Sequence, residues 1–237
     1  MLRVSEIYSA YQGEGVRMGE RMTVLRLGGC NLNCFACDTP QRDDWTTHAV
    51  EDVAEKIVAE GNFAVLITGG EPTLQMQSII ALMSFLPWNY CFDLETNGEI
   101  LVEEKDLRQL RVVTISPKLF GLMVHEVKEV EDSNLGKWQQ YGGEECDTKY
   151  VYKFSVTADS LRVGSRLEDL LGLLRNEIVI IQPLENKGGT KETTTQFDEI
   201  LKLQELLAEK APQNFAGDVR ILPRLHTLLY DMKTRGV

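Results

Sequence analysis

The chain has 237 residues and carries 36 acidic against 25 basic side chains, a formal charge of −11. That balance argues against a nucleic-acid backbone as the main partner and favours a small molecule. The N-terminal MLRVSEIYSAYQGEG contains no apolar run of signal-peptide length, and nowhere do eighteen apolar residues follow one another, so a cytoplasmic protein away from the membrane is expected.

Short apolar runs alternate with amphipathic stripes along the whole chain. MTVLRL (Met22–Leu27) reads as the first buried strand. Val50, Val53, Ala54, Ile57 and Val58 then make one helical stripe, with Thr46 or Thr47 as candidate cap and Gly61 just past its end. FAVLIT (Phe63–Thr68), YCFDLE (Tyr90–Glu95) and VVTIS (Val112–Ser116) read as the next three strands, separated by helical patterns over Gln77–Leu86 and Glu103–Leu110. Gly121–Asp147 has weak periodicity and mixed charge, and the stretch up to Lys149 is expected to be an insertion or a mobile cover. YVYKFSV (Tyr150–Val156), EIVIIQ (Glu177–Gln182) and DVRIL (Asp218–Leu222) complete the strands, with helical stripes over Leu161–Leu174 and Phe197–Leu207 between them. This alternation predicts an α/β fold of parallel strands with covering helices. Seven strands and about five helices fall short of an eight-fold barrel, so a partial, open TIM-like barrel in a single domain, residues 1–237, is expected. Trp45, Trp88 and Trp138 read as packing residues.

The unusual sequences all follow strands. GGC follows the first, GGEP the second, ETNG the third, SPK the fourth, QPLE the sixth and LPRLH the seventh. In α/β barrels the strand C-termini converge on one mouth, where chemistry is done.

The chain has five cysteines, and three of them, Cys30, Cys34 and Cys37, share one loop at C-x3-C-x2-C spacing. Five is an odd number and suits no disulfide framework. Structural zinc takes four closed ligands; the nearest histidine, His48, stands eleven residues on, and there is no second C-x-x-C. Iron–sulfur cubes are also held by thiolates, normally four. Three would leave one iron open to another ligand. In TGGEP (Thr68–Pro72) two glycines let backbone approach a ligand closely, and Glu71 is an acceptor for an ammonium.

The cysteine spacing after the first strand, followed by GGEP after the second, resembles the radical S-adenosylmethionine superfamily. EIYSAYQGEG (Glu6–Gly15), RLGGCNLNCFACDT (Arg26–Thr39), TISPK (Thr114–Lys118) and LPRLHTLLYDMKTRGV (Leu222–Val237) narrow the resemblance to the 7-carboxy-7-deazaguanine synthase family. The superfamily resemblance implies a radical SAM core. Its [4Fe–4S] cluster binds S-adenosylmethionine through the open iron and cleaves it to a 5′-deoxyadenosyl radical. The family resemblance implies a carbon–nitrogen lyase. It contracts 6-carboxy-5,6,7,8-tetrahydropterin to 7-carboxy-7-deazaguanine with loss of ammonia, on the route to queuosine- and archaeosine-type 7-deazapurines.

The resemblance assigns Cys30, Cys34 and Cys37 to the cluster and Thr39 to Mg²⁺. It assigns Ala36, Asp38, Gly70, Glu71, Glu95, Asn97, Ser116, Pro117, Lys118 and Gln182 to S-adenosylmethionine. Tyr11, Gln12, Gly13, Glu14, Arg26, Thr68, His226 and Val237 fall to the pterin. It also implies a homodimer and an electron donor such as flavodoxin. Two other readings stay open on the sequence: an activating enzyme for a glycyl-radical partner, and a non-catalytic metal-binding protein.

Overall fold

The computed structural model describes residues 1–34, 37, 44–119, 133–141, 147–162, 166–184, 193–210 and 216–225. Ala36, Asp38, Thr39, His226 and Val237 lie outside the described residues, as does most of the expected insertion.

Nine strands form one sheet: β1 (Leu2–Tyr11), β2 (Arg21–Leu27), β3 (Thr46–His48), β4 (Ala64–Gly69), β5 (Cys91–Thr96), β6 (Val112–Ile115), β7 (Lys149–Val156), β8 (Ile178–Pro183) and β9 (Asp218–Ile221). Their order is β3-β1-β2-β4-β5-β6-β7-β8-β9. From β2 to β9 every pairing is parallel, and these are the seven strands that the apolar runs predict. Among the described residues the sheet ends at β3 and β9 and does not close. Helices α1 (Val50–Glu60), α2 (Met76–Phe85), α3 (Glu104–Leu107), α4 (Leu135–Trp138), α5 (Ala158–Arg162), α6 (Arg166–Leu173) and α7 (Thr193–Lys210) connect the strands. Among the described residues no helix is long and apolar enough to cross a membrane.

Two strands go beyond the sequence reading. β1 pairs antiparallel with both β2 and β3. Its alternation, Leu2 then Val4, is broken by a bulge between Val4 and Glu6, which shifts the period and hides the strand. Thr46 and Thr47 belong to β3, so the residue before α1 is Ala49, which has no side chain able to cap. The other end of α1 follows expectation: Gly61 takes a left-handed φ of 74° and returns its N–H to the Val58 carbonyl. The stripe Leu161–Leu174 divides between α5 and α6.

Side chains alternate across the strands and so build two different faces. One face, with Leu25, Leu27, Ile67, Leu94 and Ile115 all fully buried, packs under α1, α2 and the later helices. Each such side chain contributes about 1.5–3 kcal/mol. The opposite face starts apolar, with Val24 and Leu66 in one cluster and Val112, Val151 and Ile180 in another. Towards the strand C-termini the same face turns polar: Arg26, Thr68, Glu95, Lys153 and Gln182 all follow at even spacing.

The β1–β2 connection, residues 12–20, packs on this second face from its N-terminal edge. Val16 lies against the Val112, Val151 and Ile180 cluster. Arg111 fastens the connection with bonds to both Glu20 (3.0 Å) and Asp93 (2.8 Å). Burial raises the Asp93 pKa even against that guanidinium.

The tryptophans differ from one another. Trp138 is fully buried and donates to the Gly98 carbonyl at 2.9 Å, so residues 133–141 of the expected cover are anchored in the core. Trp45 lies over the Arg3 guanidinium, 5.4 Å from its ring centre. Trp88 is 96% exposed and packs nothing, contrary to expectation.

Candidate active site

The site has two parts. The first is made by the loops that leave β2, β4 and β5. The Gly70 N–H bonds the Leu27 carbonyl at 2.9 Å, and the Glu71 N–H bonds the Gly29 carbonyl at 2.8 Å. The cysteine loop and the GGEP loop thus meet backbone to backbone. A Cβ on Gly70 would lie 2.0 Å from the Gly29 oxygen, and one on Gly69, whose φ is +124°, would lie 2.3 Å from the Leu27 oxygen. The neighbouring loop by itself therefore requires the glycine pair.

Glu71 was expected to meet a ligand ammonium, yet it is fully buried and already occupied. Its Oε1 accepts from the Thr73 N–H (3.0 Å), the Thr73 hydroxyl (2.5 Å) and the Thr96 hydroxyl (2.7 Å). Its Oε2 accepts from the Asn97 N–H at 2.8 Å. Asn97, expected at a ribose, donates through Nδ2 to Asn31 of the cysteine loop at 2.8 Å and accepts from the Glu99 N–H at 2.9 Å. Glu71 and Asn97 thus tie three strand ends into one cradle. All the donors are neutral groups.

Cys30, Cys34 and Cys37 are half-buried in this cradle and none is in a disulfide. The Leu32 N–H points at the Cys30 sulfur at 3.4 Å. Hydrogen bonds to the sulfurs tune the potential of a cluster held by them. Cys91, by contrast, sits on β5 near the far edge, where burial raises its pKa and keeps it a thiol.

The second part lies on the inner face of the sheet and is ionic. Glu14, from the β1–β2 connection, accepts from Lys153 Nζ through Oε2 at 2.7 Å and from Arg224 Nε through Oε1 at 2.8 Å. Glu95 accepts from the same Lys153 at 3.2 Å, from Gln12 Nε2 at 3.5 Å and from the Thr68 hydroxyl at 3.3 Å. Lys153 and Arg224 are 5% and 4% exposed, so the cluster is inside the protein. Burial opposes the charge on Lys153, but Glu14 and then Glu95 outweigh it and raise its pKa. Arg224 also takes the Gln196 Oε1 on its backbone N–H at 2.8 Å, and the next residue, Leu225, donates to the Gly13 carbonyl at 2.9 Å. The structure therefore brings together Gln12, Gly13, Glu14 and Thr68, which the sequence assigns to the pterin, with Glu95, which it assigns to S-adenosylmethionine.

Lys153 and Arg224 were not singled out from the sequence as site residues. The available signal was a lysine in the middle of the apolar run YVYKFSV, and an arginine inside LPRLH.

Five of the remaining assignments fall on the same strands or at their C-terminal ends. Arg26 is paired through Nε with Glu6 at 3.0 Å and donates to the Tyr8 hydroxyl at 2.8 Å. Gln182 is 0% exposed, and neither its amide nitrogen nor its amide oxygen has a hydrogen-bond partner among the described residues. Ser116 and Pro117 are buried after β6, and Lys118 Nζ donates to the Ser116 hydroxyl at 2.9 Å. Tyr11 differs: it is 67% exposed, opposite Arg21 at the start of β2 and so at the edge away from the strand C-termini.

These residues fit an iron–sulfur cluster and a polar cofactor. Three thiols share one loop, and a buried amide such as that of Gln182 is costly unless something bonds it.

Residues 11–98 match the family described as a 4Fe-4S single cluster domain. Among solved structures, the chain resembles QueE from Escherichia coli with a TM-score of 0.58, 20% identity and coverage of 92% of this chain and 93% of that one. It also resembles a radical SAM methyltransferase from Sphaerobacter thermophilus, with a TM-score of 0.53, 13% identity and coverage of 85% and 66%. The fold is thus the radical SAM fold, an open α/β sheet. These likenesses favour neither the glycyl-radical activating enzyme nor the non-catalytic metal protein. The 7-carboxy-7-deazaguanine synthase of Archaeoglobus fulgidus is 36% identical over 94% of this chain and 96% of its own, and the chain belongs to the 7-carboxy-7-deazaguanine synthase family.

Proposed function

We propose that the protein contracts 6-carboxy-5,6,7,8-tetrahydropterin to 7-carboxy-7-deazaguanine with loss of ammonia, as a carbon–nitrogen lyase. The observation that carries this reading is the half-buried acceptor pair, Glu14 and Glu95, joined by Lys153 on the inner face, with Asn97, two residues beyond Glu95, bonded to the loop that carries three thiols. An ionised carboxylate only accepts, and a pterin offers ring N–H and amino groups along one edge. Arg26, held by Glu6 and Tyr8, is a planar five-donor fork suited to the 6-carboxylate.

Cys30, Cys34 and Cys37 would hold the [4Fe–4S] cluster, with Gln182, Ser116 and Lys118 beside S-adenosylmethionine. Bound together, the two groups supply the hydrogen-atom abstraction that opens the rearrangement. The chain contributes position. Gln12 and Thr68 help to place Glu95, and Arg224 helps to place Glu14. Asn97, itself held by Glu71, fastens the cysteine loop at Asn31. Thr39 as a Mg²⁺ ligand, a homodimer, a donor such as flavodoxin and a cytoplasmic location complete the reading.

The test is anaerobic reconstitution with iron and sulfide, followed by carboxytetrahydropterin, S-adenosylmethionine, Mg²⁺ and a reductant. Mass detection of carboxydeazaguanine is the expected result. Deoxyadenosine without that product would remove the substrate from the proposal and keep the radical enzyme.

A further inference from the structure

We infer that Lys153 is a positioning residue for the heterocycle. It clamps the carboxylates of Glu14 and Glu95 into one acceptor surface and thereby sets where the ring lies. The inference rests on the pterin reading above.

The two carboxylates arrive from unrelated places, one from the β1–β2 connection and one from β5. A single buried ammonium, 2.7 Å from one and 3.2 Å from the other, fixes their separation. The clamp is uneven. Glu14 has a second cation in Arg224, at 2.8 Å. Among the described residues Glu95 has Lys153 as its only ion-pair partner, its other donors being neutral Thr68 and Gln12. Removing Lys153 therefore leaves Glu14 with a cation and leaves Glu95 to its neutral donors alone.

A lysine is not what packing asks for at this place. Val151, two residues earlier on the same face of β7, and Ile180, opposite Lys153 on β8, belong to an apolar cluster. An aliphatic residue would extend that cluster without the desolvation cost of a buried ion, which is several kcal/mol in principle. A buried ion pair kept where an apolar residue would pack points to geometry, not stability, as its contribution.

The experiment compares reconstituted wild type with Lys153→Met and Lys153→Arg. For Lys153→Met the expected result is a KM for carboxytetrahydropterin raised roughly 10- to 100-fold, the loss of one charge-assisted contact. The KM for S-adenosylmethionine should not move. The ratio of deoxyadenosine to carboxydeazaguanine should rise, because the ring no longer sits where hydrogen is taken. Lys153→Arg should recover part of the pterin KM.

If Lys153→Met does not fold, Lys153→Met with Glu95→Gln removes the unbalanced charge, and its pterin KM should be no worse than that of Glu95→Gln alone. Unchanged KM and unchanged product ratio in a folded Lys153→Met, or fully additive effects in the double variant, would overturn the inference while leaving the reaction in place. A wild type that makes no carboxydeazaguanine overturns the functional reading first, and this one with it.

Discussion

The cradle at the strand ends and the cluster inside the sheet hold acidic side chains in opposite ways. Glu71 is buried among neutral donors: two threonine hydroxyls and two backbone N–H groups. Glu14 is half-buried between two buried cations, and Glu95 shares one of them. A carboxylate satisfied by neutral donors acts as a strut, because its partners are part of the backbone frame. One satisfied by cations on distant strands acts as a joint, since each charge depends on the others staying in place. The first arrangement suits a loop that must hold a cluster still. The second suits a floor that a ligand must complete.

This contrast can be broken from either side. The largest effect is expected at Glu14→Leu, which leaves Lys153 and Arg224 buried with one carboxylate between them. About 3–5 kcal/mol of stability should go, read as a lower midpoint in urea unfolding; a loss under 1 kcal/mol would show that water already reaches the cluster. Gly70→Ala comes next, since its Cβ would lie 2.0 Å from the Gly29 oxygen. A loss of about 1–3 kcal/mol is expected, together with fewer irons retained per chain after reconstitution. Full iron content in that variant would mean the two loops need not touch. Asn97→Ala should cost least, about 1 kcal/mol for the lost bond to Asn31. It should lower iron retention more than it lowers melting temperature. Equal losses in both would make Asn97 an ordinary structural residue.

The sequence reveals the strut far better than the joint. Gly69, Gly70, Glu71 and Asn97 sit in two short motifs directly after apolar runs, and their partners are neighbouring loops. The period of two and the seven apolar runs likewise expose the parallel strands, because strands covered on one face by helices carry little polar residue there. The bonds of the joint run from Glu14 to residues 139 and 210 positions away. No local pattern reports such a pairing. Lys153 looked like an ordinary member of β7, and only the register of β5, β7 and the β1–β2 connection brings it to its partners. β1 was hidden by its bulge, and β3 is only three residues long. The glycines of GGEP were legible as a place of close approach, but the neighbour expected there was a ligand, and the Leu27 and Gly29 carbonyls of the cysteine loop stand there.

An open sheet must end somewhere, and each end exposes a row of unpaired amides that another chain can copy. In this protein the terminal strands β3 and β9 have only three and four residues. A second molecule adding itself to β3 or β9 would gain a handful of hydrogen bonds at most, too few to offset the ordering of its own segment. Beyond Val4, however, β1 runs on to Tyr11 past the end of β3, so the longer stretch of edge on that side belongs to β1.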